Sequence, residues 1–150
     1  MGAGVDESSV VSLMVDLVGV VRELAGECEE MLENRWVRLI VQAGFEVVAV
    51  RGSGVRVRLM LEHLLNNAME ALGDQGGEFR VTVDRVGEKV HLIVSDTGPG
   101  FREPGRVFEV GRPGMGLNVC REIVREMGGE IWAFNLHPHG AAVAVELPGF

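Results

Sequence analysis

The sequence predicts an α+β domain, a two-layer α/β sandwich whose mixed, mostly antiparallel sheet carries its helices on one face. Three observations lead there. Segments of helical spacing and β-branched runs follow one another as helix, strand, strand, helix, two strands, glycine-rich loop, helix, two strands. Short hairpin-type connections outnumber strand–helix–strand crossovers, which favours antiparallel pairing. Phe79, Val81 and Val83 alternate with Arg80, Thr82 and Asp84, the pattern of a strand with one buried and one solvated face.

Each element has its own warrant. From Val11 to Leu32, apolar residues at Met14, Leu17, Val18, Val21, Leu24, Cys28 and Met31 form one stripe of an amphipathic helix. Asp16, Arg22, Glu23, Glu29 and Glu30 lie opposite. Cys28 falls on the stripe and reads as core. Trp36–Val41 and Phe45–Val50 are β-branched runs parted by a turn at Gln42, Ala43 and Gly44. After Gly52-Ser53-Gly54 a second helix extends to about Leu72. It buries Val57, Met60, Leu61, Leu64, Ala68 and Leu72, with Gly73 just past its last turn. A hairpin follows, through Phe79–Val83 and Lys89–Ser95. The stretch from Asp96 to Gly116 is rich in glycine and proline and has no periodicity. It leads into a third helix, Leu117–Met127, with Cys120, Ile123, Val124 and Met127 inward. Gly128-Gly129 stops that helix, and Glu130–Asn135 with Ala141–Leu147 make a last hairpin.

Composition narrows the function. The 150 residues suit one domain, and 47% hydrophobic with 24% charged residues is a globular balance. A net charge of −8, with Lys89 the only lysine, makes nucleic acid a poor partner. The most apolar stretch, Val10–Val21, is interrupted by Ser12 and Asp16 and is too short for a bilayer, so no direct membrane contact is expected. The start is uncharged and unlike a signal peptide. Two cysteines without metal spacing suit a reducing compartment, so the expected location is cytoplasmic.

Three groups of residues invite chemistry. His63, Asn67 and Glu70, at i, i+4 and i+7, share one helix face. Asparagine is unfavourable in mid-helix. The trio is either a solvated face or a carboxamide aimed into a pocket to hold a hard cation such as Mg2+. Asp96-Thr97-Gly98-Pro99-Gly100 puts a carboxylate at a strand end, where glycines let backbone approach a flat ligand. It also reads as an ordinary strand exit. Gly111-Arg112-Pro113-Gly114-Met115-Gly116-Leu117 opens a helix with unpaired amides and the positive dipole end, an anion site. It matches neither the dinucleotide fingerprint nor a P-loop.

In this order the three groups resemble the GHKL ATP-binding superfamily. Leu64-Leu65-Asn66-Asn67-Ala68-Met69-Glu70-Ala71 is similar to its asparagine box, Asp96–Gly100 to its first glycine box, and Gly114–Asn118 to its second. Within the superfamily the catalytic and ATP-binding domain of bacterial sensor histidine kinases is most similar, with Val107-Phe108-Glu109 resembling the short phenylalanine motif before the lid. The resemblance spans about Val11 to Pro148. It implies a Bergerat fold that binds ATP and Mg2+. By that resemblance Asn67 coordinates the Mg2+ and Asp96 accepts the adenine amino group. Gly98 and Gly100 let the chain bend past the base. Gly114, Met115, Gly116 and Leu117 bring amides to the phosphates, Arg112 is the candidate phosphate contact, and Glu70 completes the set.

Some positions depart from the pattern. His63 stands where an asparagine often opens the first box. Type II topoisomerases and mismatch-repair proteins carry a general-base glutamate there, so a dedicated ATPase is not expected. His63 is either a partly buried helix histidine or a catalytic group near the metal or its water. Gly140-Ala141-Ala142 lacks a threonine often found near the adenine. No histidine precedes His63, so the acceptor of the γ-phosphoryl group is expected on a separate helical dimerisation and phosphoacceptor domain. Residues 1–10 then read as a remnant of the connection to it, and 11–150 as a monomeric catalytic domain serving a response regulator receiver domain. The alternatives are an anti-sigma-factor-like serine kinase and a nucleotide-holding docking module without transfer.

Overall fold

The computed structural model of the chain describes residues 14–109 and 116–150. In chain order its elements are β1 (Met14–Asp16), α1 (Leu17–Asn34), β2 (Val37–Ala43), β3 (Ala49–Arg51), α2 (Gly54–Leu72), β4 (Gly77–Val86), β5 (Lys89–Asp96), α3 (Leu117–Glu126), β6 (Glu130–Asn135) and β7 (Ala141–Pro148). Five strands form one sheet in the order β2-β4-β5-β7-β6. The β2–β4 pair is parallel and the other three are antiparallel. The α+β two-layer sandwich expected from the sequence is therefore the one observed.

Register and parity together build the core. Val81 pairs with Val94 and Val83 with Leu92, and across the next ladder Val94 pairs with Val143 and Leu92 with Val145. Because side chains alternate faces along a strand, all of these point the same way. They are buried beneath the apolar stripes of α1, α2 and α3, which supply Leu17, Val21, Met60, Leu61, Leu64, Ile123 and Val124. Among the described residues the opposite face carries no α-helix. There Trp132 pairs with Ala144 and Phe134 with Ala142, and both alanines are buried on the otherwise solvated side.

The first helix begins later than its periodicity predicts. Met14–Asp16 form β1, which pairs antiparallel with β3, and α1 starts only at Leu17. Residues 11–13 lie outside the described residues. The break has a local cause. The Leu17 N–H donates to the Val48 carbonyl (2.8 Å), and the Val48 N–H donates to Asp16 Oδ1 (3.1 Å). The predicted strand Phe45–Val50 also shrinks to Ala49–Arg51, which joins β1 rather than the large sheet. Val48 is only 1% exposed, so an Asp16→Ala variant leaves a buried N–H unpaired. It should lose about 1–3 kcal/mol in chemical denaturation.

Cysteine positions follow the predicted stripes. Cys120 is fully buried in the core, and burial pushes its thiol pKa up to about 12. Cys28 is only partly buried and packs against the core from α1, again with a raised pKa, chiefly from burial. Among the described residues no helix is long and apolar enough to cross a membrane.

Candidate functional site

Helix α2 sets the frame. The Ser53 hydroxyl accepts from the Arg56 N–H (3.4 Å) and caps its first turn, while Gly73, with φ 56°, ends it. Leu64, Leu65, Ala68 and Leu72 anchor the helix on the sheet. Along one flank lie His63, Asn67 and Glu70, and their burial differs. Asn67 is 9% exposed, His63 is half-buried and Glu70 is exposed. The Asn67 carboxamide makes no hydrogen bond to another described residue. A polar group this enclosed costs free energy unless water or a ligand satisfies it.

Asp96 follows from strand parity. Val90, Leu92 and Val94 face the helices, so the fourth residue of that file, Asp96, also turns inward and is only 5% exposed. Its Oδ1 accepts from the Gly98 N–H (2.9 Å). Burial holds the carboxyl above its ordinary value, against the backbone N–H groups of Gly98 and Ala141, which favour the charged form. The Thr97 N–H donates to the Glu78 carbonyl (3.0 Å), and the Thr97 hydroxyl accepts from the Glu78 N–H (3.1 Å), pinning the chain just past the carboxylate.

Close approaches explain the glycines. A Cβ on Gly98 would stand 2.8 Å from the Ala71 carbonyl oxygen of α2. Gly100 has φ 92°, and a Cβ there would lie 2.9 Å from Asn135 Oδ1. Gly116, the residue before α3, has φ 62°, and a Cβ on it would run into the His63 ring. Three successive turns of α2 thus meet different things. His63 touches the start of α3, the Ala71 carbonyl touches the first glycine segment, and Asn67 lies between them with its carboxamide open.

Sequence reading missed the clamp around this loop. Asn135, at the end of β6, accepts from the Phe101 N–H through Oδ1 (2.7 Å) and donates through Nδ2 to the Phe101 carbonyl (2.8 Å). Gly140 has φ 109° and passes so near the Asp96 carbonyl oxygen that any Cβ would overlap it. An asparagine at a strand end and a glycine at a loop end were the only signals available, and both are commonplace. Val107 and Phe108 are buried, with the Arg121 guanidinium over the Phe108 ring (5.8 Å). Arg106 is committed to Glu109 (3.0 Å) and Glu103 (3.4 Å). Leu117 is fully buried in the core, so it can offer a ligand only its backbone. Arg112, Gly114 and Met115 lie outside the described residues.

Residues 52–149 match the family described as Histidine kinase-, DNA gyrase B-, and HSP90-like ATPase. The chain belongs to this ATPase family. It is 31% identical over 147 residues to the adaptive-response sensory kinase SasA of Parasynechococcus marenigrum (strain WH8102), covering 89% of this chain and 38% of that protein. It is 32% identical over 126 residues to the alginate biosynthesis sensor protein KinB of Pseudomonas aeruginosa, covering 77% of this chain and 21% of that one. The chain therefore spans well under half of these relatives. Among solved structures, the catalytic domain of histidine kinase ThkA superposes with a TM-score of 0.83 at 28% identity, covering 90% of this chain and 93% of that one. ThkA has also been solved in complex with the response regulator protein TrrA.

Within an ATPase family the ligand class is a nucleotide, and the residues present fit it. The buried Asp96 carboxylate could accept from an exocyclic amine, and the glycines would leave backbone exposed for a flat base. Among the described residues no group of three or more His, Cys, Asp or Glu could hold a metal ion. The open Asn67 oxygen is the donor that suits a hard cation carried mainly by phosphates.

Proposed function

We propose that this chain is the Mg-ATP-binding catalytic domain of a sensor histidine kinase. It donates the ATP γ-phosphoryl group to a histidine on a separate helical dimerisation and phosphoacceptor domain, from which the phosphoryl group passes to an aspartate of a response regulator receiver domain. One observation carries the reading: the enclosed Asn67 carboxamide, without a partner among the described residues, set between the glycine segments at Gly98 and Gly116.

The geometry supports the following roles. Asp96 accepts a hydrogen bond from the adenine amino group and fixes the base. Gly98 and Gly100 give it room. The free N–H groups at the start of α3, after Gly116, face the phosphates with the positive dipole end. Arg112, Gly114 and Met115, which lie outside the described residues, are proposed as further phosphate contacts, and exposed Glu70 lies at the margin. Asn67 ligates Mg2+, which neutralises phosphate charge. Transfer then forms an N–P bond to the acceptor imidazole as the bond from Pγ to the ADP oxygen breaks. This chain supplies position and electrostatics rather than a covalent intermediate. The half-buried His63, packed on Gly116, would hold the start of α3 in place.

The relatives' names support a sensor kinase over the two alternatives. ATP and two free cysteines suit a cytoplasmic setting, with residues 1–10 as the connection towards the helical domain. The isolated domain is proposed as a monomer. The test is to mix the domain with a helical hairpin bearing the acceptor histidine and with labelled ATP. The expected product is acid-labile phosphate on the hairpin. Bound nucleotide without transfer would support the docking module, and acid-stable phosphate on serine the anti-sigma-type kinase.

A further inference from the structure

The sheet ends in an open edge. Among the described residues β2 is the outermost strand on its side and is hydrogen-bonded only to β4, so along its seven residues alternate N–H and C=O groups face outward with no described partner. On the helix side, Leu39 and Val41 point inward but are only partly covered. Beside them runs a groove of about 340 Å³, bounded by α1 at Ala25, Gly26, Glu29, Leu32 and Glu33.

Gly26 makes the groove. Glycine inside a helix costs about 0.5–1 kcal/mol relative to alanine. Most of the other tight glycines here answer to a neighbour or a positive φ. Gly26 has neither, and a Cβ on it would meet nothing within 4 Å. A larger residue at this position would shield Leu39 and Val41, and its absence leaves them open. Glu29 and Glu33, one turn apart on the rim, are exposed and have no ion-pair partner among the described residues, whereas Arg38, which also lines the groove, is paired with Glu78 (2.7 Å). Trp36, at the head of the strand, is 88% exposed.

We infer that this edge and groove dock an extended segment of a partner protein that alternates apolar and basic residues. The segment adds as a sixth strand beside β2, sets its apolar side chains against Leu39, Val41 and Leu32, and sets its basic ones beside Glu29 and Glu33. Charge decides against a second copy of this chain as the occupant. An antiparallel β2–β2 pairing would lay α1 beside α1 and bring the unpaired glutamates of both copies together. The proposal is independent of the nucleotide site.

The test titrates the domain with a capped synthetic nonapeptide alternating valine and arginine, read by amide chemical shifts and amide exchange. Shifts and new exchange protection should be confined to β2 and the second half of α1. Gly26→Leu fills the groove while raising helix propensity. It should weaken binding about tenfold with no loss of melting temperature, and the Glu29→Lys/Glu33→Lys pair should do at least as much. The same peptide N-methylated at alternate residues should not bind. Equal binding by all variants, binding of the N-methylated peptide, or shifts centred elsewhere overturns the proposal. So does concentration-dependent self-association of the wild type that protects β2.

Discussion

An Asp96→Asn variant should lose about a hundredfold in nucleotide affinity while folding at least as stably as the wild type at neutral pH. The first half follows from complementarity. A carboxylate accepting from an amine contributes about 1.5–3 kcal/mol, and asparagine turns one of its two acceptors into a donor facing a donor. The second half follows from linkage. Burial raises the Asp96 pKa above its ordinary 3.8, so the native state binds more protons than the unfolded chain between the two values. Stability from this group is therefore fully present below the unfolded value and is lost as pH rises through the folded one. Neutral asparagine escapes that loss. The variant's melting temperature relative to wild type should climb as pH rises from the ordinary 3.8 through the higher folded value, and level off above it. Calorimetric titration with a non-hydrolysable ATP analogue, paired with thermal melts at several pH values, checks both. Unchanged affinity would remove Asp96 from the site, and a variant unstable at pH 7 would make the residue structural.

For Asn67→Ala the expected signature is a loss of metal dependence rather than of the fold. The wild type should bind the analogue more tightly with Mg2+, and the variant should bind it equally with and without. Phosphoryl transfer to the acceptor hairpin should fall by about 10²–10³, the scale of losing one preorganised electrostatic contact. Stability should hold or rise, because the substitution removes an enclosed carboxamide that has no described partner and replaces a poor helix former with the best one. An undiminished Mg2+ response in Asn67→Ala would move the cation elsewhere.

Much of this architecture was legible because its determinants are periodic. The α2 stripe, the alternation in β4 and the stops at Gly73 and Gly128 are read from residues within a few positions of one another. Asp96 was legible as a carboxylate at a strand end before a run of glycines, whereas its inward face came from the parity of β5. Met14–Asp16 was not, since three residues become a strand only because Ala49–Arg51 lies beside them. The helical spacing there was real, and the pairing with β3 overrode it. The Asn135 clamp on Phe101 joins residues 34 apart, which no local pattern signals.

The sequence by itself determined most of the core face, where helices stop, and which three segments resemble a nucleotide site, although Met14 and Met31, read on the buried stripe, are 55% and 41% exposed. Those properties depend on side-chain periodicity and on backbone freedom, both local. Only the tertiary structure decided why each functional glycine has to be one. Gly98 answers to the Ala71 carbonyl, Gly100 to Asn135, Gly116 to the His63 ring and Gly140 to the Asp96 carbonyl. A missing side chain is written in the sequence, but the atom that forbids it belongs to another element and arrives only when the chain has folded.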